Sequence, residues 1–220
     1  MKIFNSITFV LIIAVFTGLV SCTKDKDAEA VKNVKLLIVN AVSGIDDQEV
    51  YIDNKKLDLS LVEYGDAAAE VTVSSGAHSL AFKTPGVDTV NATTRIAVEA
   101  NTSQMVFLTG KRESKKYVKT FVNDKSNVNA KVKLRIINTE HIMMIGTHVK
   151  TADGVTLGFP SLHEASVYHL VDAGSDLELN MRWGKPFHIS GADLKAGKVY
   201  TMWFYMNDAW EIKYRFLEHQ

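Results

Sequence analysis

The chain of 220 residues has one cysteine, Cys22. A single thiol forms no internal disulfide, so hydrophobic burial has to hold the fold even in an oxidising compartment. Prolines number three, and 46% of residues are hydrophobic against 23% charged, which excludes the disordered and fibrous classes. Neither sign of charge is in excess: 25 Lys and Arg face 25 Asp and Glu, a balance that offers nothing to nucleic acid. Catalytic signatures are missing as well. There is no Gly-x-Ser-x-Gly elbow, no phosphate loop, no dinucleotide fingerprint and no His-Glu-x-x-His, and His163-Glu164 is only a dipeptide. No cofactor, metal or catalytic residue is therefore expected.

What is present begins with a leader. Lys2 gives a positive start, and Ile7 to Val20 is apolar except for Thr8 and Thr17, a run shorter than the roughly 20 residues of a spanning helix. Leu19-Val20-Ser21-Cys22 closes it. Those four residues resemble the lipobox of bacterial lipoproteins, which implies a signal peptide over 1–21 and a diacylglycerol on the Cys22 sulfur. Acyl chains contribute about 0.8 kcal/mol per buried methylene and would hold the chain to a membrane. Without Lys2 the mature part has 24 Lys and Arg against 25 Asp and Glu, a net charge of −1. Residues 22–32 are polar, lack apolar periodicity and read as a tether. The charge-alternating stretch Thr23 to Ala30 loosely resembles the surface-export signals of Bacteroidetes lipoproteins. By resemblance to enterobacterial sorting, Thr23 rather than an aspartate after the cysteine implies the outer membrane; the surface and periplasmic faces both stay open.

The rest of the chain repeats itself. Lys35-Leu36-Leu37-Ile38-Val39-Asn40 returns as Lys133-Leu134-Arg135-Ile136-Ile137-Asn138, an offset of 98 residues that Asp66 and Glu164, Val73 and Val171, and Gly76 and Gly174 also hold. The offset then slips to 96, pairing Phe107-Leu108 with Trp203-Phe204. Repeats over 33–124 and 131–220, joined by a polar linker at 125–130, are each of domain size. Within each, short runs of Val, Ile, Thr, Phe and Tyr alternate with Gly, Asn, Asp and Ser, and no helical period is sustained. The chain is predicted to be all-β: two tandem immunoglobulin-like or transthyretin-like β-sandwich domains. Strands are expected near 34–40, 49–53, 69–74, 78–84, 93–99, 104–110 and 116–122 in the first copy. Asp53-Asn54, Ser75-Gly76, Asp153-Gly154 and Ala173-Gly174 are expected as tight turns.

These residues resemble the bacterial domain-of-unknown-function family 4397, whose repeats open on Leu-Arg-hydrophobic-hydrophobic-Asn and often occur in tandem. The opening is matched by Leu36 to Asn40 and by Leu134 to Asn138. Val50-Tyr51-Ile52-Asp53-Asn54 and Ala196-Gly197-Lys198-Val199-Tyr200-Thr201 match two further stretches of the family pattern. The first copy departs at Ala100-Asn101-Thr102, and the second lacks the Val-Tyr turn. The resemblance implies an envelope protein built as a β-sandwich and supplies no catalytic residues.

Six of seven histidines (His141, His148, His163, His169, His188 and His219) fall in the second repeat, at spacings that match no standard metal-ligand set. Aromatic residues are uneven too, six in the first repeat against eleven in the second, which holds Trp183, Trp203 and Trp210. Trp203 lies in the alternating run Val199 to Tyr205 and reads as core. Trp183-Gly184-Lys185-Pro186-Phe187 reads as a loop bearing two large rings, which either caps the sandwich or offers flat faces to a sugar or a protein anchor. Arg182, Trp183, Phe187 and His188 are the candidate binding surface.

The leading expectation is a non-catalytic lipoprotein of the outer membrane that serves in binding, adhesion or envelope assembly. Its partners are the membrane, through Cys22, and a glycan or an envelope or host protein. The alternative is a periplasm-facing structural or accessory subunit with no small ligand, and a hydrolase using an unrecognised carboxylate or histidine arrangement, testable at His163 and Glu164, ranks last.

Overall fold

The computed structural model describes residues 31–66, 69–126, 128–139, 146–182, 184–207 and 209–219. The leader, Cys22 and most of the tether lie outside them. All regular structure among the described residues is strand. The first repeat contributes β1 (Asn33–Asn40), β2 (Glu49–Ile52), β3 (Lys55–Lys56), β4 (Ala69–Ser74), β5 (Gly76–Lys83), β6 (Val90–Val98), β7 (Ser103–Gly110) and β8 (Lys116–Val122). The second contributes β9 (Lys131–Ile137), β10 (His148–Thr151), β11 (Thr156–Gly158), β12 (His169–Asp172), β13 (Leu177–Asn180), β14 (Phe187–Ile189), β15 (Val199–Met206) and β16 (Ile212–Glu218).

Sheet orders are β4-β1-β7-β8 and β3-β2-β5-β6 in the first half, β12-β9-β15-β16 and β11-β10-β13-β14 in the second. Each order maps onto its counterpart by adding eight to the strand number. Residue registers agree with the repeat offsets: Leu37 pairs with Met105 and Arg135 with Thr201, while Met105 pairs with Phe121 and Thr201 with Leu217. An immunoglobulin sandwich puts its first two strands in one sheet. Here β1 and β2 are in opposite sheets, and β1 runs parallel to β7, as β9 does to β15. The transthyretin-like alternative is the one that remains.

Local chemistry accounts for the turns and for two corrections. Asp53 and Asn54 take φ of 50° and 64°, so both central residues of the β2–β3 hairpin are left-handed, a conformation Asn and Asp tolerate. Ser75-Gly76 is not a hairpin turn, because β4 and β5 belong to different sheets; it is a corner, as is Ala173-Gly174 between β12 and β13. The eighth strand, β3, has two residues, too few for any alternation to register in sequence.

Alternation places Leu36, Ile38, Val106 and Leu108 inside the first sandwich and Leu134, Ile136, Met202 and Phe204 inside the second. Over the middle of these strands the side chains of the other face are also buried. Leu37, Val39, Met105 and Phe107 pack against Ile137, Trp203 and Leu217 in a third core that joins the two sandwiches. Lys32–Gln220 is accordingly one compact unit, stacked through β1, β7, β9 and β15. Trp203 is core, as its alternating strand implies, but it belongs to this seam. Its ring meets its repeat counterpart Phe107 edge to face, centroids 5.8 Å apart.

Equivalent residues also meet in crossed pairs. Arg215 binds Asp66 at 3.1 Å, and the matching Lys119 binds Glu164 at 2.8 Å. Gly65, with φ +75°, lies under the Tyr205 ring; its counterpart His163, with φ 63°, bonds Thr109 at 2.9 Å, and Thr109 is the counterpart of Tyr205. Contacts between i and j repeated as contacts between their counterparts make a self-complementary interface of the kind two-fold dimers use. Here both partners lie in one chain.

One end of the seam is polar. Arg135, 4% exposed, donates to Thr201 Oγ1 (2.8 Å), Val122 O (2.7 Å) and Asn123 Oδ1 (2.8 Å), and lies over the Phe121 and Tyr168 rings. His219 bonds Thr201 Oγ1 at 2.8 Å and Asp124 O at 3.0 Å.

Candidate functional site

The sandwiches differ at one edge. In the first, nine-residue β6 lies against β8. Its counterpart β14 has three residues, bounded by Pro186 before it and Ser190-Gly191 after it. Gly191 passes so close to Ser175 that an added Cβ would stand 1.9 Å from the Ser175 carbonyl oxygen, so the chain is drawn toward the β12–β13 corner. Gly191 N also donates to Asp176 Oδ1 at 2.9 Å. The inner face of β16 is left partly uncovered, and its residues are large: Tyr214 and Phe216 stand where the first repeat has Val118 and Thr120.

The opening is a cleft of about 350 Å³ lined by Asp193, Lys195, Tyr200, Tyr214, Arg215, Phe216 and Glu218. Three rings line it and Phe187 extends the series beyond it, in edge contacts of Phe187 to Tyr214 (6.1 Å), Tyr214 to Phe216 (5.5 Å) and Phe216 to Tyr200 (6.2 Å). Backbone bonds fix the tyrosines. Tyr214 Oη accepts from Ser190 N at 2.9 Å, while Tyr200 Oη donates to Asp193 O at 3.0 Å and accepts from Lys195 N at 3.3 Å. Burial holds the Tyr200 phenol above its usual pKa, so the hydroxyl stays protonated. Glu218 pairs with Lys198 at 2.6 Å, a hydrogen bond that raises the ammonium's pKa. The Asp193 carboxylate and the Lys195 ammonium, both on exposed residues, have no hydrogen-bond or ion-pair partner among the described residues.

The sequence-based candidates are distributed differently. Phe187 is half-buried, packed on the second core and on Tyr214. His188 follows it on the strand and so points to the opposite, outer face, where its Nε2 stands 3.6 Å from Asp176 Oδ2. Phe187 and His188 therefore do not form one surface. Arg182 is exposed beside Gly146, and Trp183 lies outside the described residues. His163 and Glu164 are spent on the seam, bonded to Thr109 and Lys119. Among the described residues no group of three or more His, Cys, Asp or Glu is placed to hold a metal. The cleft itself was missed, although the excess of aromatics in the second repeat and the alternation of Tyr214 and Phe216 were its signal.

Together these features define a tandem β-sandwich chain whose second sandwich has an open aromatic edge. Residues 34–142 match the model of the family described as Domain of unknown function (DUF4397), so the resemblance read from Leu36–Asn40 and Leu134–Asn138 holds over the first sandwich and the opening strand of the second. No curated protein matches the chain. Among solved structures, a fimbrial assembly protein from Parabacteroides distasonis is 10% identical with a TM-score of 0.24, covering 86% of this chain and 96% of its own. A carbohydrate-binding module of family CBM26 from Eubacterium rectale, solved in complex with maltoheptaose, is also 10% identical with a TM-score of 0.24, covering 86% of this chain and 98% of its own. At that score neither likeness bears on function.

Proposed function

We propose that the chain is a non-catalytic binding module of the bacterial cell envelope, lipid-anchored at Cys22, most simply in the outer membrane, whose ligand site is the aromatic cleft of the second sandwich. The observation that carries the reading is the truncated β14, beside which Tyr214 and Phe216 set large, partly solvent-open rings where the first repeat has only Val118 and Thr120. Leaving large apolar rings uncovered costs burial that a longer strand would recover, and concave aromatic surfaces with a few polar groups are the usual form of a ligand site. The non-catalytic part of the reading rests on the engagement of His163 and Glu164 in the seam and on the absence of catalytic motifs.

Two measurements test it. Metabolic labelling with an alkyne fatty acid is expected to mark the wild-type chain and not Cys22→Ala, and labelling of both sinks the anchor. Hydrogen exchange of the detergent-purified full chain, challenged with neutral oligosaccharides, acidic oligosaccharides and peptides, is expected to slow over 190–198 and 212–218 for one ligand class, which is recovered uncleaved. Unchanged exchange with all three classes overturns the cleft as the site, and cleavage of a probe overturns the non-catalytic reading.

A further inference from the structure

We infer that the cleft takes a neutral, polyhydroxylated ligand with an apolar face, the chemistry of a pyranose chain, lying along β16; this rests on the cleft being the ligand site. Three properties of the lining lead there. Its formal charges cancel, Asp193 and Glu218 giving −2 against +2 from Lys195 and from the Lys198 paired with Glu218, so neither a polyanion nor a polycation is drawn in. Arg215 and Glu218 are already engaged, with Gly65 and Asp66 in one case and Lys198 in the other. Asp193 and Lys195 remain: a pure acceptor and a pure donor, two residues apart on one exposed loop and unpartnered among the described residues. A vicinal diol satisfies both, because each hydroxyl both donates and accepts.

The floor supplies the other half of the recognition. Tyr200, Tyr214 and Phe216 are held in place, two of them by backbone bonds to the loop that carries Asp193 and Lys195, so little ordering is left to binding. A pyranose has an apolar C–H face that packs on such rings, whereas a peptide side chain would need a deeper apolar pocket than this open cleft of about 350 Å³. Phe187 continues the ring series beyond the cleft, which gives a chain of sugars a second contact.

Calorimetry of the full chain with cellohexaose and mannohexaose, against oligogalacturonate and an unstructured peptide as the other classes, tests the assignment. The expected result is saturable binding of a neutral hexasaccharide, weakened about tenfold by Lys195→Ala and by Asp193→Ala, with Phe216→Ala abolishing it. The two loop variants change exposed side chains, so their circular dichroism and melting should match the wild type. Saturable binding of the oligogalacturonate or the peptide alone, with exchange slowed over 190–198 and 212–218, keeps the cleft as a site and overturns the sugar. Binding of a hexasaccharide that neither loop variant weakens also overturns it, and no binding by any probe removes both this inference and the reading beneath it.

Discussion

His78 stands between two acceptors, its Nδ1 2.7 Å from Asp53 Oδ2 and its Nε2 2.8 Å from Ser74 O. Only the imidazolium donates from both nitrogens, and the Asp53 bond, then the Ser74 carbonyl, raise its pKa above the usual 6.5. This stabilisation is complete below 6.5 and is lost as pH rises through the raised value. His219 is opposite in sign. Burial in the seam holds it down to about 4, so it is neutral at pH 7, and its contribution is present above 6.5 and lost as pH falls toward 4. Urea midpoints across pH should separate the two. The advantage of wild type over His78→Gln is expected to shrink on the alkaline side, and wild type should lose ground to His219→Gln between 6.5 and about 4. Parallel curves for wild type and variant would show that the histidine concerned is not linked to folding. The carboxylate Asp124, held at about 2 chiefly by its bond from Lys133, acts in a lower window, below 3.8, and does not confuse the assignment.

Among elements, the strands of the inner sheets were legible because their residues alternate or run apolar throughout. Leu36-Leu37-Ile38-Val39 and Met105-Val106-Phe107-Leu108 have no polar side, and a strand with two apolar faces is a strand buried on both. That pattern contained the third core, but what covers the second face lies nearly a hundred residues away and no local rule points to it. Corners could not be told from hairpins, since Ser75-Gly76 and Asp53-Asn54 use the same turn chemistry and differ only in which sheet receives the next strand. The cleft depends on the length of β14, which the close approach of Gly191 to Ser175 limits, a contact invisible in the sequence. The loop at Gly65 belongs to this scale as well. Its φ of +75° suits glycine, and an added Cβ would stand 2.6 Å from Tyr205 Cε2. Gly65→Ala should therefore destabilise by about 1–3 kcal/mol, from backbone strain and from displacing a ring at the seam. Equilibrium denaturation measures this, and a change under about 0.5 kcal/mol would mean that Tyr205 yields freely.

The whole molecule is a tandem repeat folded onto itself, and the seam decides how it unfolds. Phe107 meets Trp203, Asp66 meets Arg215, and Glu164 meets Lys119, so each sandwich supplies a face that the other completes. The exposed ion pairs contribute little, typically under about 1 kcal/mol each. The apolar contacts dominate, because Leu37, Val39, Met105, Phe107, Ile137 and Trp203 would all be left to water if the sandwiches parted. Heating should therefore give one calorimetric transition for both halves, despite their separate inner cores. Trp203, fully buried in the seam, is the residue whose loss tests this. Its indole N–H has no hydrogen-bond partner among the described residues, so truncation removes packing without orphaning a polar group there. Trp203→Ala is expected to cost about 3–5 kcal/mol as a large seam cavity opens. That loss should split the single transition into two or lower it as one. A transition already double in the wild type, with only the second-sandwich component moved by Trp203→Ala, would mean the sandwiches fold independently and merely touch.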